Sequence, residues 1–171
     1  MAGLWRWLTR LFLPQGNRAR VPIPFPEEIL AERKPLGRCG ERVACWFLEE
    51  QCGYKCLYRN AFVRISPFRQ KIAGEIDLIM EDGDTLVFVE VRTRDGLGRF
   101  GPPVQSVNQR KRLRVCQAAR FWMKQNNVPE TRRVRFDVVS IIWPPHHVPD
   151  IEHYPNAFSW TTPNYRKGIR R

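Results

Sequence analysis

Gly74–Arg94 reads GEIDLIMEDGDTLVFVEVRTR, two apolar-rich runs broken once, at Glu81-Asp82-Gly83-Asp84. Asp-Gly between such runs is a strong hairpin signal, because a type I′ turn needs positive φ at both central residues. The segment predicts two antiparallel strands, Gly74–Met80 and Thr85–Arg92, turning at Asp82-Gly83. That register sets Glu81 against Asp84, Asp77 against Phe88 and Glu75 against Glu90. Side chains two apart share a face, so Glu75, Asp77, Glu90 and Arg92 project from one side. A four-residue loop keeps this parity and a three-residue loop breaks it. The diagonal Asp77–Glu90 pair would have Cβ atoms roughly 7 Å apart or less, within reach of one cation.

Glu90 lies inside LVFVEV, which otherwise reads as a fully buried strand. A buried carboxylate carries a large desolvation penalty, and neighbouring carboxylates repel. Arg92 offsets one charge. Three acids against one base still leave an excess, which a divalent cation would neutralise, and oxygen-rich sites suit Mg2+ or Mn2+ better than zinc. The competing reading is the solvated face of an edge hairpin, with Arg92 paired to Glu75 or Glu90. Spacing alone leaves both open.

Outward from the hairpin, a helix is predicted from Gly37, with Glu41, Ala44, Cys45 and Leu48 on one face, Phe47 flanking and Gly53 placed to end it. A short strand Lys55–Arg59 follows. Asn60–Ala73 is rich in cations and contains Pro67, so it reads as a basic loop or an irregular strand extension. Ser106–Gln125 reads as a helix, with Val107, Leu113, Ala118, Phe121 and Trp122 as core candidates. Val134–Trp143 (VRFDVVSIIW) is a strand apolar on both faces, as in a covered sheet. The order helix, strand, hairpin, helix, strand predicts an α/β domain with a mixed central sheet flanked by helices.

The 171 residues suit one domain, expected at 35–158, between a basic, Pro-rich arm (1–34) and a basic tail (159–171). Leu4–Leu13 has the spacing of a short amphipathic helix, which would pack on the domain, lie on a membrane surface or stay a mobile arm. With 29 Lys and Arg against 17 Asp and Glu, the formal charge is +12, which favours a polyanionic partner, nucleic acid or an anionic membrane surface. No apolar run approaches the ~20 residues that span a bilayer. Without a visible secretory signal, the five cysteines read as reduced thiols of a cytoplasmic protein. Cys52 and Cys56 stand as half of a zinc site lacking a second pair at suitable spacing, and Cys45 and Cys116 as small core residues.

The string GEIDLI, a gap of about ten residues, then FVEVRTR resembles the signature of the YraN-like family of uncharacterised bacterial proteins. The likeness extends to GRCGERVA at Gly37–Ala44, Arg59-Asn60, Lys111 within SVNQRKRLRV, RFDVV at Arg135–Val139 and IEHYPNAF at Ile151–Phe158. That family is similar to the PD-(D/E)xK nucleases, especially archaeal Holliday-junction resolvases. The resemblance implies a restriction-endonuclease-like fold and a catalytic set of Glu41, Asp77, Glu90 and Arg92, with Asp77, Glu90 and Glu41 as metal ligands. It also implies Mg2+- or Mn2+-dependent cleavage of branched or single-stranded DNA and, by analogy with resolvases, a homodimer. In such sites the metal polarises the scissile phosphate and lowers the pKa of an attacking water.

One position departs from the superfamily pattern. Its third motif ends in Lys, and this chain has Arg92, a guanidinium that effectively cannot lose a proton. Lys111 on the following helix is a stand-in amine, or else part of a solvated basic face or a phosphate contact. Arg59, Arg69, Arg94, Lys111 and Arg112 are the candidate contacts to DNA or RNA phosphates. The alternatives to an endonuclease are a catalytically degenerate module that binds nucleic acid without cutting it, and a peripheral membrane or partner-docking protein using Leu4–Leu13.

Overall fold

The computed structural model describes the backbone of residues 18–19, 36–66, 69–96 and 107–161, and the side chains of 36–65, 72–96 and 107–161. The expected Leu4–Leu13 helix and the end of the basic tail lie outside these residues. The elements in chain order are β1 (Arg18–Ala19), α1 (Leu36–Glu50), β2 (Lys55–Ser66), β3 (Arg69–Asp82), β4 (Thr85–Arg94), α2 (Gln109–Gln125), β5 (Arg133–Ile142) and β6 (Asp150–Phe158). They form one sheet in the order β1-β6-β5-β4-β3-β2. All neighbours are antiparallel except β4 and β5. A parallel pair needs a crossover of a dozen residues or more, and α2 supplies it. The fold is α/β, a mixed sheet with flanking helices, consistent with a restriction-endonuclease-like architecture. No described helix is long and apolar enough to cross a membrane.

Strand alternation divides the core between the two faces. Leu78, Met80, Val87, Val89, Val139 and Ile141 pack with Val43, Ala44, Phe47 and Leu48 of α1. Ile79, Leu86, Phe88, Phe136 and Val138 pack with Val115, Ala118, Ala119 and Trp122 of α2. Both faces of β4 and β5 are therefore covered, which is why their sequences read as nearly continuous apolar runs. Of the core candidates on the second helix, Val107, Ala118 and Trp122 are buried, and Leu113 and Phe121 are half-buried. Gly53, at φ +73°, turns the chain out of α1, and the Tyr54 N–H returns to the Leu48 carbonyl at 2.9 Å.

Three details differ from the sequence-based expectation, and a fourth decides between two readings left open. The hairpin pairs Asp82 with Thr85 and Glu81 with Leu86, so the turn is Gly83-Asp84 rather than Asp82-Gly83. Gly83 has φ +55° and Asp84 is not among the positive-φ residues, the pattern of a type II′ rather than a type I′ turn. Cations explain the shift: Arg132 binds Glu81 and Arg135 binds Asp82, each at 2.9 Å, holding both acids on the strand. The offset is two residues, so parity is kept along the paired stretch Leu78–Asp82 while the pairs change.

The strand after α1 runs on past Arg59 to Ser66, which is the irregular strand extension and not the basic loop, with three register shifts that absorb its irregular sequence. The second helix starts at Gln109, because the Asn108 side chain caps it by accepting from the Lys111 N–H at 2.9 Å. IEHYPNAF is a strand, β6, which Pro155 and the polar residues around it concealed. Asn156 adopts φ +53° there.

Candidate active site

Ladder pairing between β3 and β4 ends at Leu78–Val89, although β3 extends back to Arg69 and β4 on to Arg94. β4 stays paired with β5 as far as Arg94–Ile142. The sheet therefore forks, with β3 leaving β4 at Asp77. Ile76 and Ile79 both join the α2-side core while Leu78 joins the other, so strict alternation breaks at this residue. The Val91 N–H, left without a strand partner, donates to Asp77 Oδ2 at 2.7 Å. Asp77 thus closes the ladder with its side chain and fixes its own carboxylate in the mouth of the fork.

Glu90 is one residue past the last pair on β4 and is only 2% exposed. Lys111 Nζ reaches it from α2 at 3.0 Å, and Arg92 Nε stands 3.3 Å from the same oxygen, Oε1. The other oxygen, Oε2, is buried without a hydrogen-bond partner. Burial, and then the charge of Asp77, push the Glu90 carboxyl up to about 7 against the opposing pull of Lys111 and Arg92. Burial raises Asp77 as well, and the Val91 hydrogen bond and Lys111 only partly offset it.

Glu41 comes from the second turn of α1. Gly40, just before it, faces Thr93 at the far end of β4 so closely that a Cβ there would lie 1.8 Å from the Thr93 hydroxyl. The missing side chain lets the helix approach the fork. Burial raises the Glu41 carboxyl, the negative charges of Asp77 and Glu75 add to this, and a hydrogen bond with the Asn60 side chain works against it. Glu41 Oε2 is the second buried carboxylate oxygen without a partner. Asn60 escaped assignment from sequence, where it showed only as half of an Arg-Asn pair. Its φ of +53° is the local backbone feature that marks it.

Glu41, Asp77, Glu90, Arg92 and Lys111 therefore share one electrostatic site, and Glu75 lies exposed at its rim. The three acids do not bring one oxygen each to within 4.8 Å of one another. Mg2+ typically takes one or two carboxylates and keeps several waters, so such spacing suits two direct ligands and a third acting through water. Among the candidate phosphate contacts, Arg59 is exposed on β2 and Arg94 is half-buried at the end of β4. Arg112 is engaged internally: its Nε donates to the Val107 carbonyl at 2.8 Å and its guanidinium lies over Phe158. The Arg69 side chain lies outside the described residues.

A second buried polar cluster lies on the α1 side, around Asp137. Arg135 binds this carboxylate at 2.8 and 3.0 Å, His153 Nε2 lies 3.0 Å away and the Asn156 N–H donates at 2.9 Å. Burial acts to raise Asp137, but the hydrogen bonds from His153 and Arg135 outweigh it and hold the carboxyl below its ordinary value. Cys52 Sγ is 4.0 Å from His153 Nδ1. Burial and the Asp137 charge push that thiol up to about 12, so it is a protonated packing group rather than a nucleophile.

Residues 40–141 match the model of a family described as Uncharacterised protein family UPF0102. A UPF0102 protein of Geotalea daltonii is 42% identical over 127 residues, 74% of this chain and 91% of the relative. One of Geobacter metallireducens is 43% identical over 126 residues, 73% of this chain and 93% of the relative. One of Nocardia farcinica is 38% identical over 129 residues, covering 75% and 93% respectively.

Proposed function

The chain belongs to the uncharacterised protein family UPF0102, and from that membership and the fork site we propose that it is a divalent-metal-dependent endonuclease acting on DNA. One observation carries this reading: two buried carboxylate oxygens, Glu41 Oε2 and Glu90 Oε2, have no partner in a site that already holds Asp77. Unpartnered buried acceptors are costly, and a cation is the natural group to satisfy them. Asp77 and Glu90 would hold Mg2+ or Mn2+ directly, and Glu41 through water. The ion would supply charge to the scissile phosphate and a lowered pKa to water.

The chain's own residues supply the rest. The Val91 N–H orients Asp77, and Asn60 orients Glu41. Arg92 stands where it can stabilise a phosphate oxygen but cannot take up a proton from water. Lys111 provides the amine that the third strand motif lacks, delivered from α2. The charge of +12 favours phosphate backbones, and binding should weaken steeply with salt.

The test is cleavage of duplex, single-stranded, flap and junction DNA with Mg2+ or Mn2+, using wild type, Asp77→Ala, Glu90→Ala and Lys111→Ala. Metal-dependent cutting lost in all three variants is expected. Absence of cutting on every substrate would overturn the proposal. A second reading has its own support, since Lys111 and Arg92 already neutralise Glu90 without any ion. On that reading DNA binding survives Asp77→Ala and no substrate is cut.

A further inference from the structure

The tightest grouping of potential ligand atoms among the described residues lies elsewhere, where α1 hands the chain to β2. Cys45 Sγ, a Glu49 carboxylate oxygen and Cys56 Sγ all lie within 4.8 Å of one another. Cys45 and Glu49 are one helical turn apart on α1, and Cys56 is the second residue of β2. We propose that Cys45, Glu49 and Cys56 form a binding site for a thiophilic divalent cation, zinc above all, with a water completing the coordination.

One edge of the site already has the required length, and the other two are close to it. With Zn–S near 2.3 Å and Zn–O near 2.1 Å, a tetrahedral centre sets sulfur and oxygen about 3.6 Å apart and its two sulfurs about 3.8 Å apart. Cys45 Sγ and Glu49 Oε2 are 3.6 Å apart. The other carboxylate oxygen, Glu49 Oε1, accepts the Cys56 N–H at 3.2 Å, which aims Oε2 at the thiols and ties the helix ligand to the strand ligand. Orientation of a ligating carboxylate by a second hydrogen bond is a recurrent feature of built metal sites.

The ligand chemistry separates this centre from the fork. Two sulfurs and one oxygen favour zinc, whereas the oxygen-only acids favour Mg2+ or Mn2+. Cys45 is buried and the other two are half-buried, so the cation would be largely shielded while one position stays open to water. Without metal, the Cys45 thiol donates to Glu49 and the Cys56 thiol to the Tyr58 carbonyl. Binding would replace these weak bonds and release the thiol protons. Cys45 lies one turn after Glu41 and Cys56 four residues before Asn60, so the cation would clamp the two segments that position the Glu41 carboxylate. The inference does not depend on cleavage activity.

The experiment uses the reduced full chain, titrated with Co2+ for its absorption spectrum and with Zn2+ against a chromophoric chelator. One equivalent is expected to bind with the thiolate-to-cobalt charge-transfer band in the near ultraviolet, any ion at the oxygen-only fork lacking that band, and Zn2+ should displace this Co2+. Cys56→Ser, at a half-buried position that tolerates the change, should weaken Zn2+ at least 100-fold, as should Glu49→Ala and Cys45→Ser. Cys52→Ser, Cys116→Ser and Asp77→Ala should bind as wild type. A cobalt spectrum without the thiolate band, undiminished binding by Cys56→Ser, or a Cys45–Cys56 disulfide that forms equally with Zn2+ present would overturn the proposal.

Discussion

Lys111 Nζ, on α2, lies 3.0 Å from Glu90 Oε1, on β4. The charge that compensates the most buried acid of the fork thus arrives from a helix outside the hairpin that carries the acid. Lys111 occupies this position because the Asn108 cap fixes the first turn of α2 by bonding the Lys111 backbone itself. Replacing Lys111 with Met should cost about 1.5–3 kcal/mol, the range for a hydrogen bond to a charged group, because Glu90 keeps only Arg92. The same change should reduce cleavage at least 100-fold, whereas Lys111→Arg should keep most of the stability and little of the cleavage. Chemical denaturation together with single-turnover kinetics separates the two effects.

The pH dependence of the metal-free protein follows from the raised acids. Glu90 moves from an ordinary value near 4.3 to about 7 in the fold, and Asp77 and Glu41 shift in the same direction. A folded state that holds protons more tightly than the unfolded chain loses stability as pH rises. This contribution is fully present below about pH 4 and is lost as pH climbs through 7. Thermal melts from pH 5 to 8 should therefore fall without divalent metal, and Mg2+ or Mn2+ should restore most of the loss at the upper end. A metal-free melting temperature that rises over this range would contradict the assignment.

Gly40→Ala is expected to be costly beyond its small size. The new Cβ would stand 1.8 Å from Thr93 Oγ1, so α1 must retreat from β4. A loss of about 1–3 kcal/mol is typical of overpacking. Cleavage should fall further than stability does, since Glu41 moves with the helix. The double variant Gly40→Ala/Thr93→Ala should recover part of both, as read by melting temperature and cleavage rate.

Asp137→Asn should destabilise the fold by about 1–3 kcal/mol, because Arg135, which keeps Asp82, and the His153 ring lose a buried charged acceptor. The wild-type carboxyl is held below its ordinary value, so its contribution is present above about pH 4 and is lost as pH falls through the folded-state value. Urea titrations at pH 3 and pH 7 should show the difference between variant and wild type shrinking at the lower pH.

Much of the fork was legible in the sequence because strand parity is local. Spacing puts Glu75, Asp77, Glu90 and Arg92 on one face, and a two-residue change of register keeps that parity along Leu78–Asp82, whereas the break in alternation at Asp77 is not visible in spacing. The divergence of β3 from β4 was not legible, since it depends on where α2 and the β2–β3 arm pack. Nor was the partnership of Cys45 with Cys56. A helix and a strand brought them together, whereas the sequence drew attention to the nearer pair Cys52 and Cys56. β6 went unseen for a different reason: its buried residues Ile151, His153 and Phe158 are interrupted by Pro155 and the left-handed Asn156, which erase the apolar rhythm of a strand.

The parallel joining of β4 to β5 bears on the order in which the molecule assembles. The β3–β4 hairpin can zip in microseconds from neighbouring residues. Its alignment with β5 must wait until the whole α2 crossover has closed, a slower, long-range event. During that interval Asp77 and Glu90 sit on a nascent ribbon without Lys111, and only Arg92 and water temper their repulsion. Divalent cations that bridge the ribbon early should hasten this docking, so their presence would register first in the refolding rate and only afterwards in the finished protein.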